Sequence, residues 1–105
     1  MASIPKQLGL LDLASAGTAQ QFVATGTLAQ VLILSAPAGN TSPIYVGDSD
    51  VSATEALVVI EPGSNVVLPM AQISGGNTDT DLSKWYFDGG TTGDDLLVGY
   101  LQRSN

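Results

Sequence analysis

The sequence predicts an all-β domain, a small antiparallel β-sandwich or barrel. Three observations predict it. No long stretch carries the 3.6-residue apolar period of a helix. Short runs rich in aliphatic and β-branched residues recur instead. Clusters of Gly, Pro, Asn, Asp and Ser punctuate those runs at the spacing of a sandwich or barrel.

The predicted strands, in order, are residues 21–25, 28–35, 44–46, 56–61, 65–70, 82–87 and 96–102. The strongest helical stretch, residues 8–14, is too short to stand alone. Pro62 and Gly63 occupy the two central positions of Glu61-Pro62-Gly63-Ser64. Pro presets φ near −65° and Gly accepts positive φ, as a type II turn requires. That turn is expected to join 56–61 to 65–70. The link from Asp88 to Asp94 is expected to close a hairpin between the last two strands.

Two runs are apolar on both faces, Val31-Leu32-Ile33-Leu34 and Leu57-Val58-Val59-Ile60. An ordinary half-buried strand alternates. Such a run is either a covered central strand or a strand with one face against another subunit. In the last strands Trp85 and Phe87 share a face, and Leu96, Val98 and Tyr100 oppose Leu97, Gly99 and Leu101.

The chain has 105 residues, which is one domain, with an N-terminal arm over residues 1–19 and a β-sandwich domain over 20–105. The arm would pack on this domain or on a neighbour. Its apolar stretch from Leu8 to Leu13 is broken by Gly9 and Asp12, unlike the core of a secretory leader. No run of 18 apolar residues exists, so no membrane helix is expected.

The net charge is −7, from three basic and ten acidic residues. So few cations cannot neutralise a nucleic acid backbone, and no nucleic acid partner is expected. Cys and His are both absent, which removes disulfides, thiolate metal sites and the commonest general base. Ser83-Lys84 places its two side chains on opposite faces of a strand and makes no catalytic pair. Acidic residues in Gly-rich turns serve solubility and turn capping. No catalytic residue is assigned, and an enzyme is not expected.

Asn77-Thr78-Asp79-Thr80-Asp81 resembles the opening of a calcium loop, but Leu82 stands where that loop needs Gly. An EF-hand is therefore excluded. An incidental calcium site at Asp48-Ser49-Asp50 or Asp94-Asp95 stays open, and no metal or cofactor is assigned. Trp85-Tyr86-Phe87 must put at least one ring outside the core, as an interface anchor or a sugar platform.

The order of segments resembles a known group. Leu28–Leu34 leads through Gly39-Asn40-Thr41 to Ile44-Tyr45-Val46-Gly47-Asp48-Ser49-Asp50-Val51-Ser52. Then come Ile60-Glu61-Pro62-Gly63-Ser64 and Asp81-Leu82-Ser83-Lys84-Trp85-Tyr86-Phe87-Asp88-Gly89, followed by a last strand. This order resembles small structural proteins of tailed bacteriophages, over about Ala24 to Leu101. The segment up to Gln20 has no counterpart in the pattern.

The resemblance implies a jelly-roll-like sandwich on the virion, with no catalytic residues. It implies a decoration (cement) protein on the outer surface of the head, bound to the major capsid protein and stabilising the assembled shell. It implies a homo-oligomer, a trimer above all. The alternatives are a tail, neck or fibre component, or a small carbohydrate-binding module. An acidic surface would suit a basic patch on the shell. Exposed apolar character selects Ile4, Leu8, Leu10, Leu11, Leu13, Trp85 and Tyr86 as expected interface residues.

Overall fold

The computed structural model describes residues 3–69 and 79–103. Those residues form ten strands and one short 3-10 turn. The strands are β1 Ser3–Asp12, β2 Gln20–Gln21, β3 Leu28–Ala29, β4 Val31–Ser35, β5 Ile44–Gly47, β6 Val58–Ile60, β7 Asn65–Pro69, β8 Thr80–Asp81, β9 Tyr86–Gly89 and β10 Asp95–Arg103. The 3-10 turn is Leu82–Lys84. Met70, which ends the expected strand 65–70, lies outside the described residues, as do Asn77 and Thr78 of the calcium-like segment.

Two four-stranded antiparallel sheets make a sandwich, ordered β1-β10-β4-β7 and β2-β9-β5-β6. A two-stranded piece, β3-β8, sits beside them. Alternation along each strand fills the space between the sheets. Leu32 and Leu34 on β4 and Leu96 and Val98 on β10 are fully buried, as are Ile44 and Val46 on β5 and Phe87 on β9. They belong to one core. Each such side chain contributes about 1.5–3 kcal/mol on burial.

Residues 3–12, expected within an arm, are an edge strand of this sandwich. β1 pairs antiparallel with β10 from Ser3↔Arg103 to Asp12↔Asp95. A bulge between Gln7 and Gly9 brings both Leu8 and Leu11 against the core. Gly9 has φ +94°, a conformation that costs a residue with a Cβ. Ala14 N–H donates to the side-chain oxygen of Gln20, whose amide donates back to the Asp12 carbonyl. The chain thus passes directly from the first sheet to the second.

The turn at Glu61–Ser64 forms as expected. Gly63 has φ +83° and Ser64 N–H donates to the Glu61 carbonyl at 2.9 Å. It carries the chain between sheets, because β6 and β7 lie in different ones. The expected hairpin between the last two strands is corrected. β9 belongs to the second sheet and β10 to the first, so residues 90–94 cross the end of the sandwich. A tertiary hydrogen-bond network, described next, sets that crossing.

Candidate functional site

Most carboxylates of the motif segments are engaged by backbone N–H groups. Asp94 is buried at the end of the crossing loop. Its Oδ1 and Oδ2 accept from Thr41 N–H at 3.0 and 3.1 Å, and Oδ2 accepts from Ser42 N–H at 2.9 Å. Beside it, the Asn40 amide donates to the Asp95 carbonyl at 2.8 Å, and Asp95 N–H donates to Asn40 Oδ1 at 2.9 Å. The hydroxyls of Ser42 and Thr91 lie 2.8 Å apart. Gly39-Asn40-Thr41 and Gly93-Asp94 are therefore two halves of one loop staple.

Three further motif acids act alike. Asp88 is buried and accepts from Gly17 and Gly89 N–H through Oδ1. Asp81 caps the 3-10 turn, accepting from Ser83 N–H and hydroxyl and from Thr27 N–H. Those donors, led by Ser83 N–H, hold the Asp81 carboxyl below the ordinary carboxylate range. Asp48 accepts from Asp50 N–H in an Asx turn. Among the described residues no group of three or more His, Cys, Asp or Glu side chains gathers as a metal site needs. No helix among them is long and apolar enough to cross a membrane.

The interface residues expected from sequence are divided by the fold. Ile4 and Leu10 are exposed, at 39% and 57%. Leu8 and Leu11 are half-buried against the core. Leu13 is fully buried and Trp85 nearly so, which corrects the exposure on which their selection rested. The indole N–H of Trp85 donates to Thr80 Oγ1 at 2.8 Å, and its ring packs against Phe22. Its phase places it inside with Phe87, and Tyr86 on the opposite side is half-buried. Tyr86 is thus the ring that the triplet leaves partly outside.

A different surface emerges from the two-sided apolar runs. Cross-strand register aligns Leu10, Leu97, Ile33 and Val67 with their neighbours on the outer face of the first sheet. These four are 38–57% exposed. Between the Asp12–Asp95 pair at one end of β1 and β10 and the Ser3–Arg103 pair at the other, the outward register positions of the four strands are uncharged. Partial burial, and then the facing Asp12 carboxyl, push the Asp95 carboxyl above its ordinary value. Gly99 lies at the middle of the face, in an open trough of ≈ 620 Å³ that Gln7, Ile33 and Leu97 also line. Sequence reasoning missed Ile33, Val67 and Leu97 as surface residues, although the unbroken apolar runs were the available signal.

On the second sheet, Val59 of β6 and the neighbouring Leu57 are also exposed, at 51% and 62%. Comparison of the chain with family models, with curated proteins and with solved structures finds no match.

Proposed function

We propose that this chain is a non-enzymatic virion structural protein, a decoration protein that binds the outside of an assembled head shell. The observation that carries the reading is the use of the motif acids. Asn40, Asp81, Asp88 and Asp94 hold loops through hydrogen bonds to backbone groups. The segments that resemble phage structural proteins thus specify shape, as a rigid lattice-binding module needs.

The strand order supports a jelly roll. Numbering the eight strands of the two large sheets 1 to 8 along the chain, the sheets run 1-8-3-6 and 2-7-4-5. That order fits two interleaved Greek keys, an arrangement found in viral capsid and lectin domains. Fold alone does not assign function. The lectin-like alternative draws less support, because Phe22, Trp85, Phe87 and Tyr100 are all buried. The residues read as an arm would act here as the outer strand that completes the first sheet.

A protein that binds the assembled shell and not its free subunits stabilises the shell by mass action. The test is the melting temperature of purified heads lacking this chain, with and without added protein. The reading expects saturable binding and a raised shell melting temperature. Absence of binding to intact heads overturns it.

A further inference from the structure

We propose that β6 is a docking edge that takes a basic, extended segment of a partner protein as an added strand. This goes beyond shell binding and does not depend on it. The first reason is the edge itself. Among the described residues β6 pairs with β5 alone and ends the second sheet. Leu57 N–H also donates to the Val46 carbonyl at 2.8 Å, which extends the pairing to residues 57–60. An open edge is a template for another chain, and folds commonly blunt it. The other edges here are blunted. β1 carries Pro5, the exposed Lys6 and a bulge. β7 ends in Pro69, and β2 has only two residues. The run Leu57-Val58-Val59-Ile60 has no Pro and no charge. Leu57 is the most exposed large apolar side chain among the described residues.

The second reason is charge, which selects the occupant. Residues 48–61 hold four of the ten acids and no cation. Asp48, Asp50, Glu55 and Glu61 are all exposed. Asp48 and Glu55 line an open hollow of ≈ 390 Å³ beside Leu57, where the head of a Lys or Arg would meet two carboxylates. A second copy does not suit this edge. Antiparallel pairing of 57–60 with itself sets Glu55 of one copy toward Glu61 of the other, like charge against like.

The third reason is spacing. Glu55, Leu57, Val59 and Glu61 are exposed at alternate positions. Alternate side chains of a strand share a face, and an added strand presents its own alternate residues to them. The complement is a basic residue, two aliphatic residues and a second basic residue, each separated by one position. Main-chain hydrogen bonds to the edge supply affinity, and these four positions supply specificity.

NMR titration of the full chain with the capped peptide Lys-Thr-Val-Thr-Val-Thr-Lys, up to about 1 mM, tests this. The expected result is saturable shifts centred on residues 55–61. The same peptide N-methylated at alternate residues loses its main-chain donors on one edge and should bind at least about tenfold more weakly. Replacing its two Lys by Glu should weaken it as much. The double variant Glu55→Lys, Glu61→Lys should reverse that preference, while Val67→Asp, on the other sheet, should leave binding unchanged. Absence of saturable shifts, shifts centred on β1 or β7, equal binding of the N-methylated peptide, or an unreversed preference in the double variant each overturns the proposal. The assay contains no shell, so its failure is distinct from failure of shell binding.

Discussion

Replacing Asp94 with Ala removes the acceptor for two backbone donors at once. Thr41 N–H lies 3.0 and 3.1 Å from the two carboxylate oxygens, and Ser42 N–H lies 2.9 Å from Oδ2. A buried donor left without a partner costs about 1–3 kcal/mol, and bonds to a charged acceptor lie toward the upper end. Thr41 is exposed and water can reach its N–H, so it takes the lower value. Ser42 is half-buried and Asp94 is 5% exposed, which puts the second bond higher. The sum is about 2–4 kcal/mol. For a domain of this size that lowers Tm by roughly 10–20 °C. Urea unfolding should show a lower midpoint with an unchanged slope. Asp94→Asn keeps one acceptor and should recover part of the loss. A cost below about 0.5 kcal/mol for Asp94→Ala would refute the staple and, with it, the claim that the crossing loop is set by this carboxylate.

Three further outcomes are expected. Trp85→Ala should cost about 3–5 kcal/mol in urea unfolding, because the ring is in the core; Tyr86→Ala, half-buried, should cost clearly less, and equal losses would contradict the burial assigned here. Gly89→Ala should destabilise by about 1–3 kcal/mol, since its Cβ would lie 3.0 Å from Leu13 Cδ2 and 3.3 Å from Ile44 Cδ1; a neutral Tm would contradict that packing. Stability against pH should bend in two opposed ways. Asp81 has its folded-state pKa lowered, so its contribution is present above the unfolded value and lost as pH falls through the folded one; Asp81→Asn should flatten that acid loss. Asp95 has its pKa raised, so its charge costs stability above that value and the cost fades as pH falls. Asp12→Asn should therefore stabilise at neutral pH, by a fraction of about 1 kcal/mol after screening, and less in acid.

The fold class was legible because turn residues and apolar runs are local signals. Pro62-Gly63 marks its turn through the φ each residue prefers, and the turn forms at that place. Asp48 caps its own turn, as acids in Gly-rich loops are expected to, whereas Asp88 and Asp94 reach distant backbone groups. What failed depended on distant partners. β9 and β10 looked like a hairpin, since nothing near Asp88–Asp94 reveals that Asp94 reaches Thr41 and Ser42. Residues 3–12 looked like an arm because the partner that makes them a strand, β10, lies at the other end of the chain. Leu82–Trp85 read as part of a strand, but the Asp81 cap turns Leu82–Lys84 into a 3-10 turn and buries Trp85 at its end. The uncharged face was half legible. The run Val31–Leu34 showed that both sides are apolar, but only the register shows Ile33 beside Gly99 and Val67.

The central proposal is that this chain is a structural part of a virion head. Its most direct test is the copy number of the chain in purified particles, measured by quantitative mass spectrometry against the major shell protein. A number comparable to that of the shell protein is the predicted result. A small fraction of it would move the protein to the neck, tail or fibre, and complete absence from particles would contradict the virion reading.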